Sequence, residues 1–425
     1  MKVYSPRIVD SQLEKMLRRI GAVLVQGPKW CGKTTTAEQQ AASVIYLDDP
    51  GKQKMYRQTA ELNIGALMQG DTPRLMDEWQ LFPQLWNAVR FEVDHRKAEG
   101  QFILTGSAVP PLTSEINHTG TGRFARLTMR TMTLQESGDS TASVSLRWLF
   151  EKHAEQPTGE AKIGLDRLAF LICRGGWPNS IGKQDEDALA LAYDYYEAVV
   201  ESDISRVDGV RRNAEMARRL TRSLARHQGA QVSLETIRQD MALNDESAMG
   251  ESSFAQYMNV LKSIFVVDDM PAWNPNLRSK TAIRTSDTRY FNDSSIAASA
   301  LGVSPADLVL DLNTMGLMFE TLAVRDLRVY ADALDGRVYH YRDKSGLECD
   351  AVVHLRNGSY GLVEIKLGGD SLIEDGVKTL KALAEKIDTG KMKEPSFLMV
   401  LTGVGDYPLR RSDGVFVVPI GCLGV

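Results

Sequence analysis

The stretch Gly27-Pro28-Lys29-Trp30-Cys31-Gly32-Lys33-Thr34 settles how the first third of the chain is read. It fits the pattern G-x-x-x-x-G-K-[ST], follows the apolar run Ala22-Val23-Leu24-Val25-Gln26, and runs into the helix-forming TTTAEQQAA. Strand, glycine-rich turn and helix in this order present backbone N–H groups and a helix N-terminus to phosphate oxygens, and glycine permits the close approach. Residues 27–35, Thr35 included, are therefore expected to bind ATP. Lys33 is expected to reach the β- and γ-phosphates, and Thr34 to offer its hydroxyl to Mg²⁺.

Working outward, short apolar runs alternate with helical stretches from residue 22 to 105: SVIYLDD, RLMDE, FPQLWNAVRFEVDHRKA and QFILTGS. This is the rhythm of a parallel sheet with crossover helices. The run Leu75-Met76-Asp77-Glu78 ends where such a sheet places its ligand contacts, at the carboxyl edge. Asp77 then suits Mg²⁺ and Glu78 suits the attacking water, which it would orient or deprotonate. Thr105 or Ser107, closing the next strand, is the expected sensor of the γ-phosphate. Residues 108–145 are rich in Pro, Gly, Thr and Ser and read as leaving the sheet. Within them GTGRFARL carries Arg123 and Arg126, candidates for an arginine finger directed at a neighbouring subunit.

The bulk numbers exclude several classes. With 425 residues, two to four domains are expected. The chain is 43% hydrophobic and 25% charged, and no apolar run approaches the roughly 18 residues that span a bilayer. The N-terminus has no basic segment leading into an apolar one, so no secretory signal is read and a cytoplasmic location is expected. Four widely spaced cysteines suggest free thiols rather than zinc ligands or disulfides. A net charge of -5 repels nucleic acid, so any contact with DNA needs a local basic patch. One exists at residues 206–228, where seven arginines face Asp208 and Glu215. Arg218, Arg222 and Arg226 recur every four residues and share one helical face, able either to track a phosphate backbone or to pair with the protein's own acids.

Residues 146–230 read as helical. From 231 to 305 two short helices, VSLETIRQDMAL and ESSFAQYMNVLKSI, precede strand-like FVVDDMPAW and TRYF, the order of a winged helix-turn-helix. From 306 to 425 a helix, three strands, another helix and two more strands give a compact α/β domain. The first domain is bounded at 1–145.

Taken together, GPKWCGKTTT, MDEWQLFP, FILTGS, GRFARLTMRTMTLQE, RGGWP, GLMFET, HYRDKSGLECD and LVEIK make the chain resemble prokaryotic AAA-superfamily P-loop ATPases that carry a C-terminal domain of unknown function with a restriction-endonuclease-like core. Trp30-Cys31 departs from the small aliphatic residue often found in that family's loop, and Thr288 to Asp293 departs from its usual strand ending. The fold class implied is α/β: a parallel-sheet AAA-type ATPase domain, a central helical region with a winged helix-turn-helix, and a restriction-endonuclease-like terminal domain.

The resemblance also implies a terminal site. Restriction-type nucleases carry a helix glutamate, an aspartate and Glu-x-Lys, matched here by Glu320, Asp350, Glu364 and Lys366. Strand alternation puts Glu364 and Lys366 on one face. The carboxylates would take a second Mg²⁺ or Mn²⁺, Glu320 supporting, and Lys366 would steady the attacking water. A half-buried strand with a solvated face explains the same alternation. Two readings stay open: an ATP-controlled DNA nuclease, and a non-cleaving, nucleotide-gated DNA-binding or adaptor protein, either one a possible homo-oligomer. A GTPase lacks the guanine-reading Asn-Lys-x-Asp.

Overall fold

Strands buried on both faces need near-continuous apolar sequence, and the runs between residues 22 and 106 supply it. The computed structural model describes residues 4–108, 120–151, 155–242, 249–275 and 287–425. In it β1 (Ala22–Gln26), β2 (Ser43–Tyr46), β3 (Arg74–Asp77), β4 (Phe102–Gly106) and β5 (Phe124–Thr128) form one sheet in the order β2-β3-β4-β1-β5, every pair parallel. Helices α1 (Ile8–Leu17), α2 (Lys33–Glu38), α3 (Gln53–Asn63) and α4 (Leu85–Arg96) accompany it. Alternate strand residues enter two cores. Ala22, Leu24, Met76, Phe102 and Leu104 meet Tyr56, Trp79, Trp86 and Val89. Val23, Val25, Leu75 and Ile103 meet Val9, Leu13, Leu17 and Ala37. Because the strands are parallel, β1, β3 and β4 end along one edge, so Gly27, Asp77 and Thr105 come together there.

β5 overturns one expectation. Residues 108–145 do not all leave the sheet, since Phe124–Thr128 pairs with β1 along its length, Ala22 opposite Phe124 and Gln26 opposite Thr128. It is an edge strand with only Leu127 buried, so it carries none of the apolar run that marks the central strands.

By contacts the chain groups into two units. One holds residues 1–131, 202–212 and 259–265, and the other 132–201, 213–258 and 266–425. The second unit begins with β6 (Val144–Ser145), which pairs with β15 (Leu423–Gly424), and α5 (Leu146–Phe150). Next come α6 (Leu165–Arg174) and α7 (Asp185–Ala198); a π-helical turn, Val199–Asp203, and α8 (Ile204–Arg206), whose residues from 202 onward belong to the first unit, then lead to α9 (Ala214–Arg226). α10 (Leu234–Ala242) and α11 (Glu251–Ser263) precede the antiparallel pair β7 (Val267–Met270) and β8 (Thr288–Phe291), whose connection at 276–286 lies outside the described residues.

The end of the chain follows the order helix, three strands, helix, strand. After α12 (Ser294–Leu301) and α13 (Pro305–Leu310) come α14 (Leu312–Ala333), β9 (Gly336–Arg342), β10 (Glu348–Leu355), β11 (Tyr360–Lys366), α15 (Asp370–Lys386), β12 (Phe397–Thr402), β13 (Leu409–Arg410) and β14 (Phe416–Pro419). The sheet runs β13-β14-β12-β11-β10-β9. β9, β10 and β11 pair antiparallel, while β11, β12 and β14 pair parallel. Val352, Leu362 and Val400 pack with Val377, Leu380 and Leu383 of α15. Val353, Val363 and Leu401, of opposite parity, are also fully buried, so both faces of this sheet are covered. No described helix is long and apolar enough to cross a membrane.

Candidate functional site

The phosphate loop holds its shape through two glycines and a buried arginine. Gly32 stands at φ 98°, in the left-handed region, and caps α2. At Gly27 a Cβ would lie 2.1 Å from the Met129 carbonyl oxygen, so only glycine fits. Arg7 donates to the Cys31 carbonyl at 2.8 Å and to that of Arg130 at 3.0 Å. Cys31 is fully buried in one of the two sheet cores, taking the place of an aliphatic residue, and Trp30 is left half exposed at φ 65°. Lys33 is buried and donates to the Pro28 carbonyl at 2.7 Å. Lys29 forms an ion pair with Asp203 at 2.5 Å.

Opposite the loop, two hydroxyls converge on a single carboxylate oxygen. Thr34 Oγ1 donates to Asp77 Oδ1 at 2.7 Å, and Thr105 Oγ1 donates to the same atom at 2.5 Å. Beside them Glu78 Oε2 accepts from Gln80 and, at 3.3 Å, from Ser107. Glu78 is itself in the left-handed region, at φ 55°, a strained setting for a residue with a side chain. Burial pushes the Asp77 carboxyl up, against the two hydroxyls that favour its charge. Burial pushes Glu78 up as well, against the Lys33 ammonium. Both carboxyls thus pay a desolvation cost that a bound cation would offset.

Arg123 and Arg126 lie at the start of β5 and within it. Arg123 pairs with Asp94 of α4 at 2.7 Å, and the Arg126 guanidinium lies 5.8 Å from the Trp86 ring centre. Parallel pairing with β1 puts Arg123 at the sheet edge away from the phosphate loop of its own domain.

In the second unit the four residues of the terminal pattern do meet. Lys366 Nζ lies 2.6 Å from Glu364 and 3.0 Å from Asp350, and Asp350 also accepts from the Ile365 N–H at 2.7 Å. A register shift in the β9/β10 pairing between Cys349 and Val352 falls at Asp350. Such bulges re-aim a side chain. Glu320, on α14, accepts from the Tyr290 hydroxyl at 2.5 Å. Burial, then Asp350, pushes Glu320 and Glu364 up, with Lys366 opposing at both. Burial alone would lower Lys366, but Asp350 and Glu364 outweigh it and hold the ammonium charged. Among the described residues no three of His, Cys, Asp or Glu are grouped as a metal site.

Most of the basic stretch at 206–228 is spent on internal pairs. Arg212 holds Asp208, Arg218 holds Glu197 and Glu201, Arg219 holds Glu215, and Arg226 holds Asp240. The motif RGGWP is structural: the Gly176 N–H donates to buried Asp293, and the Trp177 indole donates to Ser295. Asp293 and Asp326 also pair with Arg325 in the core of the unit.

Sequence reasoning passed over Arg7, Gln80, Asp203 and Tyr290. Gln80 follows Asp77-Glu78 by two residues and was open to a reading of that run as a catalytic segment. Arg7, Asp203 and Tyr290 reach their partners only through tertiary contacts, and no local spacing marks them.

Known proteins match the chain in parts. Residues 20–138 match the model of the AAA domain, 165–307 a domain of unknown function (DUF8612), and 315–423 another (DUF4143). Uncharacterised proteins of Mycobacterium tuberculosis and Mycobacterium bovis are each 25% identical over 415 residues, spanning 97% of this chain and 83% of theirs. The Walker-type ATPase of Pyrococcus abyssi aligns at 11% identity with a TM-score of 0.42, over 68% of this chain and 94% of that one. With its parallel sheet and phosphate loop, the segment at 20–138 is an α/β P-loop domain of the AAA ATPase type.

Proposed function

We propose that this chain is a Mg²⁺-dependent ATPase whose nucleotide state sets the behaviour of a winged helix and a nuclease-like terminal domain. The observation that carries the first half is the meeting of Thr34 and Thr105 on Asp77 Oδ1, beside buried Lys33. Backbone N–H groups of residues 27–35 take the phosphates, and Lys33 leaves the Pro28 carbonyl for the β- and γ-phosphate oxygens. The Thr34 hydroxyl and Asp77 carboxylate are oxygen donors of the kind Mg²⁺ prefers, and they would hold it. That ion, when bound, neutralises charge on the phosphates. Glu78, steadied by Gln80 and Ser107, orients the water that attacks the γ-phosphorus and accepts its proton as the bond to the β–γ bridging oxygen breaks. Thr105 and Ser107, one on each carboxylate, report whether the γ-phosphate is present. A neighbouring copy in a homo-oligomer would supply Arg123 or Arg126. Release of phosphate from ATP and GTP, with and without EDTA, in the wild type, Lys33→Ala and Glu78→Gln tests this. Activity that survives Lys33→Ala would sink it.

For residues 306–425 the order helix, three strands, helix, strand and the convergence of Asp350, Glu364 and Lys366 support a restriction-endonuclease-like core and an ATP-controlled DNA nuclease. A second reading is a non-cleaving DNA-binding or adaptor protein, favoured by Lys366 being engaged by both Asp350 and Glu364. Plasmid incubated with Mg²⁺ or Mn²⁺ and ATP separates the two. Cutting that Lys366→Ala abolishes supports the nuclease, whereas an ATP-dependent gel shift without cutting supports the binder.

A further inference from the structure

We infer that Lys29 is a second phosphate cation of the loop, held off by Asp203 until a γ-phosphate draws it away. The inference rests on the proposed binding of ATP to residues 27–35. In this state both loop lysines are engaged within the protein: Lys33 on the Pro28 carbonyl at 2.7 Å, Lys29 on Asp203 at 2.5 Å. Lys29 follows Pro28 directly, so its flexible four-carbon stem starts one residue from the carbonyl that Lys33 occupies in place of phosphate. Among the described residues Asp203 is its only ion-pair partner. The pair is unequal, with the lysine side chain 41% exposed and the carboxylate 12%. The lysine is therefore free to swing, whereas the aspartate is fixed.

The exchange is favourable on charge. A terminal phosphate brings nearly two negative charges and three acceptor oxygens, against one charge on Asp203. A diphosphate ends one phosphate short, and Lys33 suffices for it. Lys29 thereby makes the loop discriminate between ATP and ADP, and Asp203 sets how much of the ATP binding energy is spent on opening the pair.

Asp203 is also well placed to pass the change along the chain. It closes the π-helical turn Val199–Asp203, a wound-in irregularity between α7 and α8 of a kind often found at functional sites. Two residues before it Glu201, and on α7 Glu197, grip Arg218 of the basic helix α9 at 2.5 and 2.6 Å. The last residue of a five-residue turn is thus tied to the phosphate loop, and its middle residue to α9. Loss of the Lys29 contact releases the first tie while the second remains. The basic stretch that first suggested a DNA surface would then act as the receiver of the nucleotide signal.

The test measures affinity for a non-hydrolysable ATP analogue and for ADP by calorimetry on the full chain, alongside hydrogen exchange of residues 199–212. Lys29→Met is expected to weaken the ATP analogue on the order of tenfold, a charge-assisted hydrogen bond's worth, with ADP little changed. Asp203→Asn is expected to tighten the analogue a few-fold, and the double variant to match Lys29→Met alone, because the competitor matters only when the lysine is present. Amides at 199–212 should exchange faster with the analogue than with ADP in the wild type. Lys29→Arg and Asp203→Glu, which keep both charges, should preserve the preference, and they guard against variants that fail to fold. Equal loss of both nucleotides in Lys29→Met, or an analogue affinity unmoved by Asp203→Asn, overturns the inference while leaving ATP binding standing. A wild type that binds neither nucleotide overturns the ATP reading and this inference together.

Discussion

The phosphate loop and the terminal carboxylate cluster use the same kinds of residue to opposite effect. At the first, among the described residues no ion pair joins Lys33 to the carboxylates: Asp77 and Glu78 are met by hydroxyls and an amide, and Lys33 rests on a backbone carbonyl. At the second they are spent inside the cluster, Lys366 bridging Glu364 and Asp350. Neutral partners leave a buried charge able to gain from a ligand, and a full ion pair leaves it little to gain. The loop is built to receive something, whereas the cluster must first give something up. On the proposed reading, the loop can therefore act as it stands, whereas the cluster would have to open its ion pairs before taking a cation.

The contrast can be broken most sharply at Glu78. Glu78→Gln should lower the rate of hydrolysis about 10²- to 10⁴-fold, the range for loss of a positioned general base, while ATP still binds. Steady-state phosphate release set beside calorimetric affinity checks this, and equal loss of both would make Glu78 a structural residue. The next effect in size is at Lys366. Lys366→Met leaves buried Glu364 and half-buried Asp350 without their shared cation and should cost up to roughly 3 to 5 kcal/mol of stability in the second unit, read by thermal melting. A variant as stable as the wild type would mean that the cluster is not self-compensated after all.

A pH series gives a smaller effect with a definite sign. Glu320 and Glu364 are coupled and titrate as a set, and burial pushes both toward about 8. Between the ordinary carboxylate range and pH 8 the folded protein therefore binds more protons than the unfolded chain. Stability that is fully present at acid pH is lost as pH rises through this window, by on the order of 1 kcal/mol per pH unit. Melting curves at pH 5 and pH 8 read the slope, which Glu320→Gln should flatten. The smallest effect belongs to the basic helix, where Arg226→Ala removes an exposed pair with Asp240 and should cost at most about 1 kcal/mol by denaturant titration. A larger loss would show that α9 is held more tightly than its exposed pairs imply.

How legible each part was follows from where its signal lies. β1, β3 and β4 show in the sequence because burial on both faces demands continuous apolar residues. β5 does not, since an edge strand with one buried residue, Leu127, spells no such run. Asp77, Glu78, Thr105 and Ser107 could be marked as candidates because parallel strands end at a common edge, which needs only strand order and direction. Their pairing, with Thr34 and Thr105 sharing one oxygen of Asp77, could not be read. The seven arginines at 206–228 left two readings open, and only folding brought Glu197 and Glu201 to Arg218 and Asp240 to Arg226.

What the sequence determined by itself is local chemistry. A glycine-lysine-threonine turn between a strand and a helix presents its N–H groups and a lysine to phosphate, because residues close in sequence supply the donors. What tertiary structure decided is how each charge is spent. Lys29 and Asp203 are 174 residues apart in the chain, as are no two groups within the loop, and Tyr290 reaches Glu320 across 30. Ion pairs and shared hydrogen bonds depend on distances of a few ångströms, which spacing along a chain does not specify until the sheet and helices have fixed where each side chain stands.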